Sequence, residues 1–102
     1  METGDVIISC QGRDKGRLML IISICPDKGH VYVADGRLRR IENPKLKRIK
    51  HVKQLPCDRG RTAERLALKE KVTNSELRKA IIEIKNQLAL VRAELTEEEV
   101  HG

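Results

Sequence analysis

The sequence predicts a mainly β fold with added α structure, a small all-β barrel followed by a C-terminal helical segment. Two observations predict it. Five short runs rich in aliphatic residues, separated by turn signals, fill roughly the first 55 residues. From Thr73 onward the apolar residues fall at alternating steps of four and three, the spacing of one helix face. The 102 residues suffice for one small domain, or a small domain with an appendage. The boundaries read as 1–56 for the barrel, 57–72 for a linker and possible short helix, and 73–96 for a C-terminal amphipathic helix.

Val6-Ile7-Ile8-Ser9-Cys10 reads as a first strand with Val6, Ile8 and Cys10 facing inward. Gln11-Gly12-Arg13-Asp14-Lys15-Gly16-Arg17 follows as a glycine-bounded basic turn, in which Gly12 and Gly16 permit positive φ and let backbone N–H groups approach another molecule. In the second strand Leu18, Leu20, Ile22 and Ile24 point to the interior. Met19 and Ile21 on the other face are apolar too, so a second layer is expected over them. Pro26-Asp27-Lys28-Gly29 is a tight turn, and Val31-Tyr32-Val33-Ala34 a third strand. Asp35-Gly36 has the form of a two-residue type I′ turn, which predicts Arg37-Leu38-Arg39-Arg40-Ile41 as an antiparallel fourth strand. Asn43-Pro44 ends it. Apolar residues at 46, 49, 52 and 55 then suggest one tight helical turn over 45–48 and a closing strand over 49–53. The core so predicted is Val6, Ile8, Leu18, Leu20, Ile22, Ile24, Val31, Val33, Leu38, Ile49 and Val52. It is marginal for independent stability, and a helix laid across Met19 and Ile21 would complete it.

Pro56-Cys57-Asp58-Arg59-Gly60-Arg61 has linker composition, and 62–72 a moderate helical pattern with Thr62 as its cap. Thr73 and Glu76 have the spacing of a capping box, where hydroxyl and carboxylate satisfy each other's orphan backbone N–H groups. The seam Leu77, Ile81, Ile84, Leu88, Val91, Leu95 must be buried, either on the barrel or a shorter helix at 62–72, or against another protein helix. Three heptads make a weak coiled coil, which favours packing within the chain. Thr96-Glu97-Glu98-Glu99 reads as a frayed acidic end.

The charge is lopsided. Lys and Arg number 21 against 15 Asp and Glu, and residues 1–56 hold 12 of the basic and 6 of the acidic ones, which accounts for the whole net charge of +6. Such a concentration points to a polyanion, because each cation that neutralises a phosphate releases counterions. The candidate contacts are Arg13, Lys15 and Arg17 in the glycine turn, and Arg37, Arg39, Arg40, Lys45, Lys47, Arg48, Lys50, His51 and Lys53 downstream. A solvated charge run is the plainer alternative. Tyr32 is the lone aromatic residue, so stacking of unpaired bases is disfavoured and backbone contacts to folded RNA suit the composition better. Duplex DNA has the same charge; an anionic lipid surface lacks the basic amphipathic helix that would accompany it.

Other classes fare worse. Cys10, Cys25 and Cys57 are an odd number without Cys-x-x-Cys spacing, which suggests reduced thiols in a cytoplasmic setting, with Cys10 and Cys25 as small buried hydrophobes. His30, His51 and His101 have no metal-ligand spacing, no nucleophile or carboxylate pair stands out, and Asp14 and Asp35 read as turn formers. No enzyme activity, metal or cofactor is expected. No membrane-length apolar run is present, and Met1-Glu2-Thr3-Gly4 does not resemble the start of a signal peptide.

Gly4-Asp5-Val6-Ile7 followed by Gly12-Arg13-Asp14-Lys15-Gly16-Arg17 resembles a KOW motif, the RNA-associated segment of SH3-like barrels in several ribosomal proteins and NusG-type transcription factors. Asp35-Gly36-Arg37-Leu38-Arg39-Arg40 and Asn43-Pro44-Lys45-Leu46-Lys47-Arg48-Ile49-Lys50-His51 extend the likeness to bacterial KOW-domain RNA-binding proteins related to large-subunit ribosomal protein fourteen of the archaeal and eukaryotic type. It spans roughly residues 3–55. The resemblance implies an SH3-like barrel bound to structured rRNA or the ribosome through the cations of those two segments. The competing expectation is a protein-interaction adaptor that uses the barrel and the heptad helix.

Overall fold

A computed structural model describes residues 1–55 and 60–101, with side chains described as far as Leu90. Its strands are β1 (Val6–Ser9), β2 (Leu18–Cys25), β3 (His30–Ala34), β4 (Lys45–Arg48) and β5 (Val52–Gln54), followed by helices α1 (Arg61–Ala67) and α2 (Asn74–His101). The strands form one antiparallel sheet in the order β4-β3-β2-β1-β5, so the molecule is a mixed α/β domain.

The glycine turn behaves as expected. Gly12 and Gly16 take φ of +83° and +86°, and β1 pairs with β2 in the register Val6↔Leu20, Ile7↔Met19, Ile8↔Leu18. β2 then pairs with β3 through a bulge between Ile21 and Ser23. A bulge inserts one residue and so reverses which face the later residues occupy. That is why Ile24 packs with Met19 and Ile21 rather than with Leu18, Leu20 and Ile22.

The two faces are assigned opposite to expectation. The helices cover the Val6, Leu18, Leu20 and Ala34 face, with Ala63 and Leu66 of α1 and Leu77, Ile81 and Ile84 of α2 packed on it. Met19 and Ile21 instead join Ile7, Val31, Val33 and Val52 on the other face. Both faces are apolar along β2, so alternation could not orient it. Leu38, placed in the predicted core, is 66% exposed. Cys10 is exposed and Cys25 half-buried, contrary to the expectation of buried thiols, while Cys57 lies outside the described residues.

The fourth strand lies elsewhere than predicted. Residues 37–41 form no strand, because the Asp35 carboxylate accepts the backbone N–H groups of Arg37 and Arg39 and folds the chain into a loop. The N–H groups of Asp35 and Gly36 both donate to the Arg39 carbonyl, which replaces the predicted two-residue turn. The strand comes at Lys45–Arg48, and the tight helical turn at Ile49–His51, one segment later than the spacing suggested. β4 hides from a hydropathy reading because its polarity is inverted: Leu46 is exposed whereas Lys47 is only 8% exposed.

β4 and β5 lie at opposite edges of the sheet yet are joined only by the 3₁₀ turn Ile49–His51. Four chain steps reach at most about 14 Å, whereas four strand spacings in a flat sheet would be about 19 Å. The sheet is therefore curved.

α2 starts as predicted. The Thr73 hydroxyl accepts from the Glu76 N–H at 3.2 Å and the Glu76 carboxylate accepts from the Thr73 N–H at 3.4 Å, a closed capping box. Arg65 of α1 also binds Glu76, so the cap ties the two helices together. Leu77, Ile81 and Ile84 are buried and Leu88 is packed against them, which places the described part of the seam inside the molecule. The side chains of Val91 and Leu95 lie outside the described set, and the helix continues through residues 96–101 instead of fraying there.

Candidate nucleic-acid interface

Asp14, almost fully buried in the β1–β2 loop, organises the basic segments. Its Oδ2 accepts from Arg39 Nη2 at 3.0 Å and Nε at 3.2 Å, a two-pronged contact from the β3–β4 loop. Lys47 Nζ stands 3.7 Å from the same oxygen and donates to the Gln11 carbonyl at 3.1 Å, which brings in β4. Arg17 Nε is 3.7 Å from Asp14 Oδ1, too far for a hydrogen bond, and is buried with no hydrogen-bond partner among the described residues. Arg17 Nη1 donates to Asp35 Oδ2 at 3.2 Å, a second bond between the two loops. The Cys10 N–H donates to the His51 carbonyl at 2.8 Å, adding the 3₁₀ turn to the cluster. Two stretches separated in sequence are thus one structural unit.

The β3–β4 loop is held by α2 as well, near both of its ends. Asn74 Oδ1 accepts from the Ile41 N–H at 2.8 Å and its Nδ2 donates to Glu42 at 2.6 Å, while Arg78 Nη1 donates to the Gly36 carbonyl at 2.7 Å.

The twelve predicted contact residues divide into two groups. Arg17, Arg39 and Lys47 are spoken for by Asp14 and Asp35 and serve as ties. Arg13, Lys15, Arg37, Arg40, Arg48, Lys50 and Lys53 are exposed, and Lys45 and His51 are half-buried. Of these, Arg40 alone makes an ion pair among the described residues, with Glu42 at 3.9 Å, and that exposed pair is weak. Arg17, Arg39 and Lys47, read from the sequence as candidate polyanion contacts, are corrected to internal ties. Asp14 and Asp35 are the residues that sequence reading undervalued. Their signal was present: Asp14 stands between Arg13 and Lys15, and Asp35 just precedes Arg37, Arg39 and Arg40.

Burial alone would raise both carboxyls, but the contrary effects outweigh it. For Asp14 these are the Arg39 hydrogen bonds and the charges of Arg39, Lys47 and Arg17; for Asp35 they are the Arg37 and Arg39 N–H groups and Arg17. Both carboxyls are held below their ordinary value. In the unfolded chain they titrate near about 3.9, so their ties contribute fully above that pH and are lost as pH falls through the lower folded values. The melting temperature is therefore expected to fall as pH drops below about 4, and Asp14→Asn protein to show a shallower acid limb. Thermal unfolding followed by circular dichroism checks this; identical limbs would contradict it.

No protein-family model and no curated protein matches this chain. Among the described residues, no helix is long and apolar enough to cross a membrane.

Proposed function

We propose that this is a cytoplasmic, non-catalytic RNA-binding protein that associates with the ribosome and contacts structured rRNA through the cations of the β1–β2 loop, the β3–β4 loop and the 3₁₀ turn. One observation carries the reading. The Asp14 and Asp35 ties fasten the two basic segments together from within, while Arg13, Lys15, Arg37, Arg48 and Lys50 stay exposed and make no ion pair among the described residues. An arrangement that neutralises its inner cations and leaves its outer ones bare suits a phosphate backbone. The KOW resemblance adds to it, as does the curvature forced by the short β4–β5 connection, which supports an SH3-like barrel related to the ribosomal proteins named above. With Leu77, Ile81 and Ile84 buried inside the chain, an adaptor role loses that much of the helix seam it would have used.

Sedimentation through a density gradient with ribosomal particles tests the proposal. The protein is expected to travel with the particles at low salt and to be released progressively as salt rises. Failure to co-sediment at any salt would overturn the ribosomal assignment.

A further inference from the structure

α2 carries cations that the charge count of the second half conceals. Residues 57–102 hold 9 basic and 9 acidic residues and look electrically neutral. The two flanks of the described helix differ, however. On one flank Arg78, Ile82 and Lys85 follow the i, i+4, i+7 spacing of a single stripe and line a cleft of about 120 Å³ together with Arg17, Arg37 and Asp35. On the other flank Lys79 lines a separate depression beside Glu76 and Glu83.

The first cleft is cationic by a wide margin. Arg17, Arg37, Arg78 and Lys85 face one acid, Asp35, whose oxygens already accept from Arg17, Arg37 N–H and Arg39 N–H. Two of the guanidinium groups are held in place beforehand, Arg17 by Asp35 and Arg78 by the Gly36 carbonyl. Fixed guanidinium groups lose little freedom on meeting an oxyanion, and their forked donors match phosphate geometry. The volume is several times what one water needs and accommodates a phosphate group.

We propose that this cleft is a phosphate-backbone subsite for RNA, formed where α2 meets the β1–β2 and β3–β4 loops, with Lys85 and Arg78 as contacts. The inference rests on the RNA-binding reading and extends it: α2 is part of the binding surface and not merely a brace for the sheet. Arg78 also secures the loop, so Lys85, which is exposed, is the cleaner position to change. Lys79 on the opposite flank is a control of equal charge on the same helix.

The test measures affinity for a fluorescently labelled hairpin RNA across a salt series for the unaltered, Lys85→Ala and Lys79→Ala chains. Loss of one phosphate contact makes the slope of log affinity against log salt shallower by about 0.7 to 0.9. That change is expected for Lys85→Ala and not for Lys79→Ala. If both variants match an unaltered chain that binds with a steep slope, the subsite is wrong and the RNA reading stands. If both lose the same amount, the helix contributes only a diffuse field and the subsite is again wrong. If the unaltered chain does not bind the hairpin, both the subsite and the functional reading fall.

Discussion

Replacing Asp14 with Ala is expected to cost about 2 to 3 kcal/mol, because it leaves Arg39 and the nearly buried Lys47 without their shared counter-charge. Removing one partner of a fully buried pair costs more than this, but Arg39 and Arg17 keep about a third of their side-chain surface in water, which softens the loss. In a domain of this size the change corresponds to a fall in melting temperature of roughly 10 to 20 °C. Lys47 has the least recourse, since among the described residues only the Gln11 carbonyl remains to it. Denaturant and thermal unfolding both read the effect. A loss under about 0.5 kcal/mol would mean that the network is decoration on a sheet that holds its loops by other means.

Gly36→Ala is expected to be at least as damaging, about 3 kcal/mol or more. Gly36 has φ of +78°, a conformation that L side chains rarely adopt, and a Cβ there would run into the Asn74 carbonyl and sit 3.0 Å from Leu77 Cβ. The obstacle is backbone at the start of α2, which is itself bound to Ile41 and Glu42 through Asn74 and cannot step aside cheaply. Gly16→Ala supplies the comparison. Gly16 has φ of +86° with nothing within 4 Å of the added carbon, so it carries the backbone strain alone, about 1 to 2 kcal/mol. Equal losses at the two positions would show that the contact with Asn74 does not matter.

Much of this architecture was legible where one signal dominated. Gly12 and Gly16 marked the hairpin because a short loop there needs positive φ, and Thr73 with Glu76 marked the helix start because orphan N–H groups need acceptors. Legibility failed where a side chain took over a backbone role or polarity ran against habit. Asp35 accepts two N–H groups and dissolves what looked like a two-residue turn, and Lys47 is drawn inward by Asp14 while Leu46 faces outward. β2 was read with its faces exchanged because Met19 and Ile21 are as apolar as Leu18 and Leu20. The candidate interface was legible as a set of residue types but not as a geometry. No periodicity separates Arg39, which is bound to Asp14, from Arg40, which is exposed one residue later.

In the proposed function the exposed cations of both loops and the 3₁₀ turn act together on a phosphate backbone, while the inner ones hold the loops in place. The most direct test is the salt dependence of structured-RNA affinity for the unaltered chain and for one carrying Arg13→Ala, Lys15→Ala, Arg40→Ala and Lys50→Ala. These four positions are exposed and are not ties to Asp14 or Asp35, so the variant is expected to melt within a few degrees of the parent. Its slope of log affinity against log salt is predicted to flatten by about 3. A folded variant that keeps the parental slope would contradict the account.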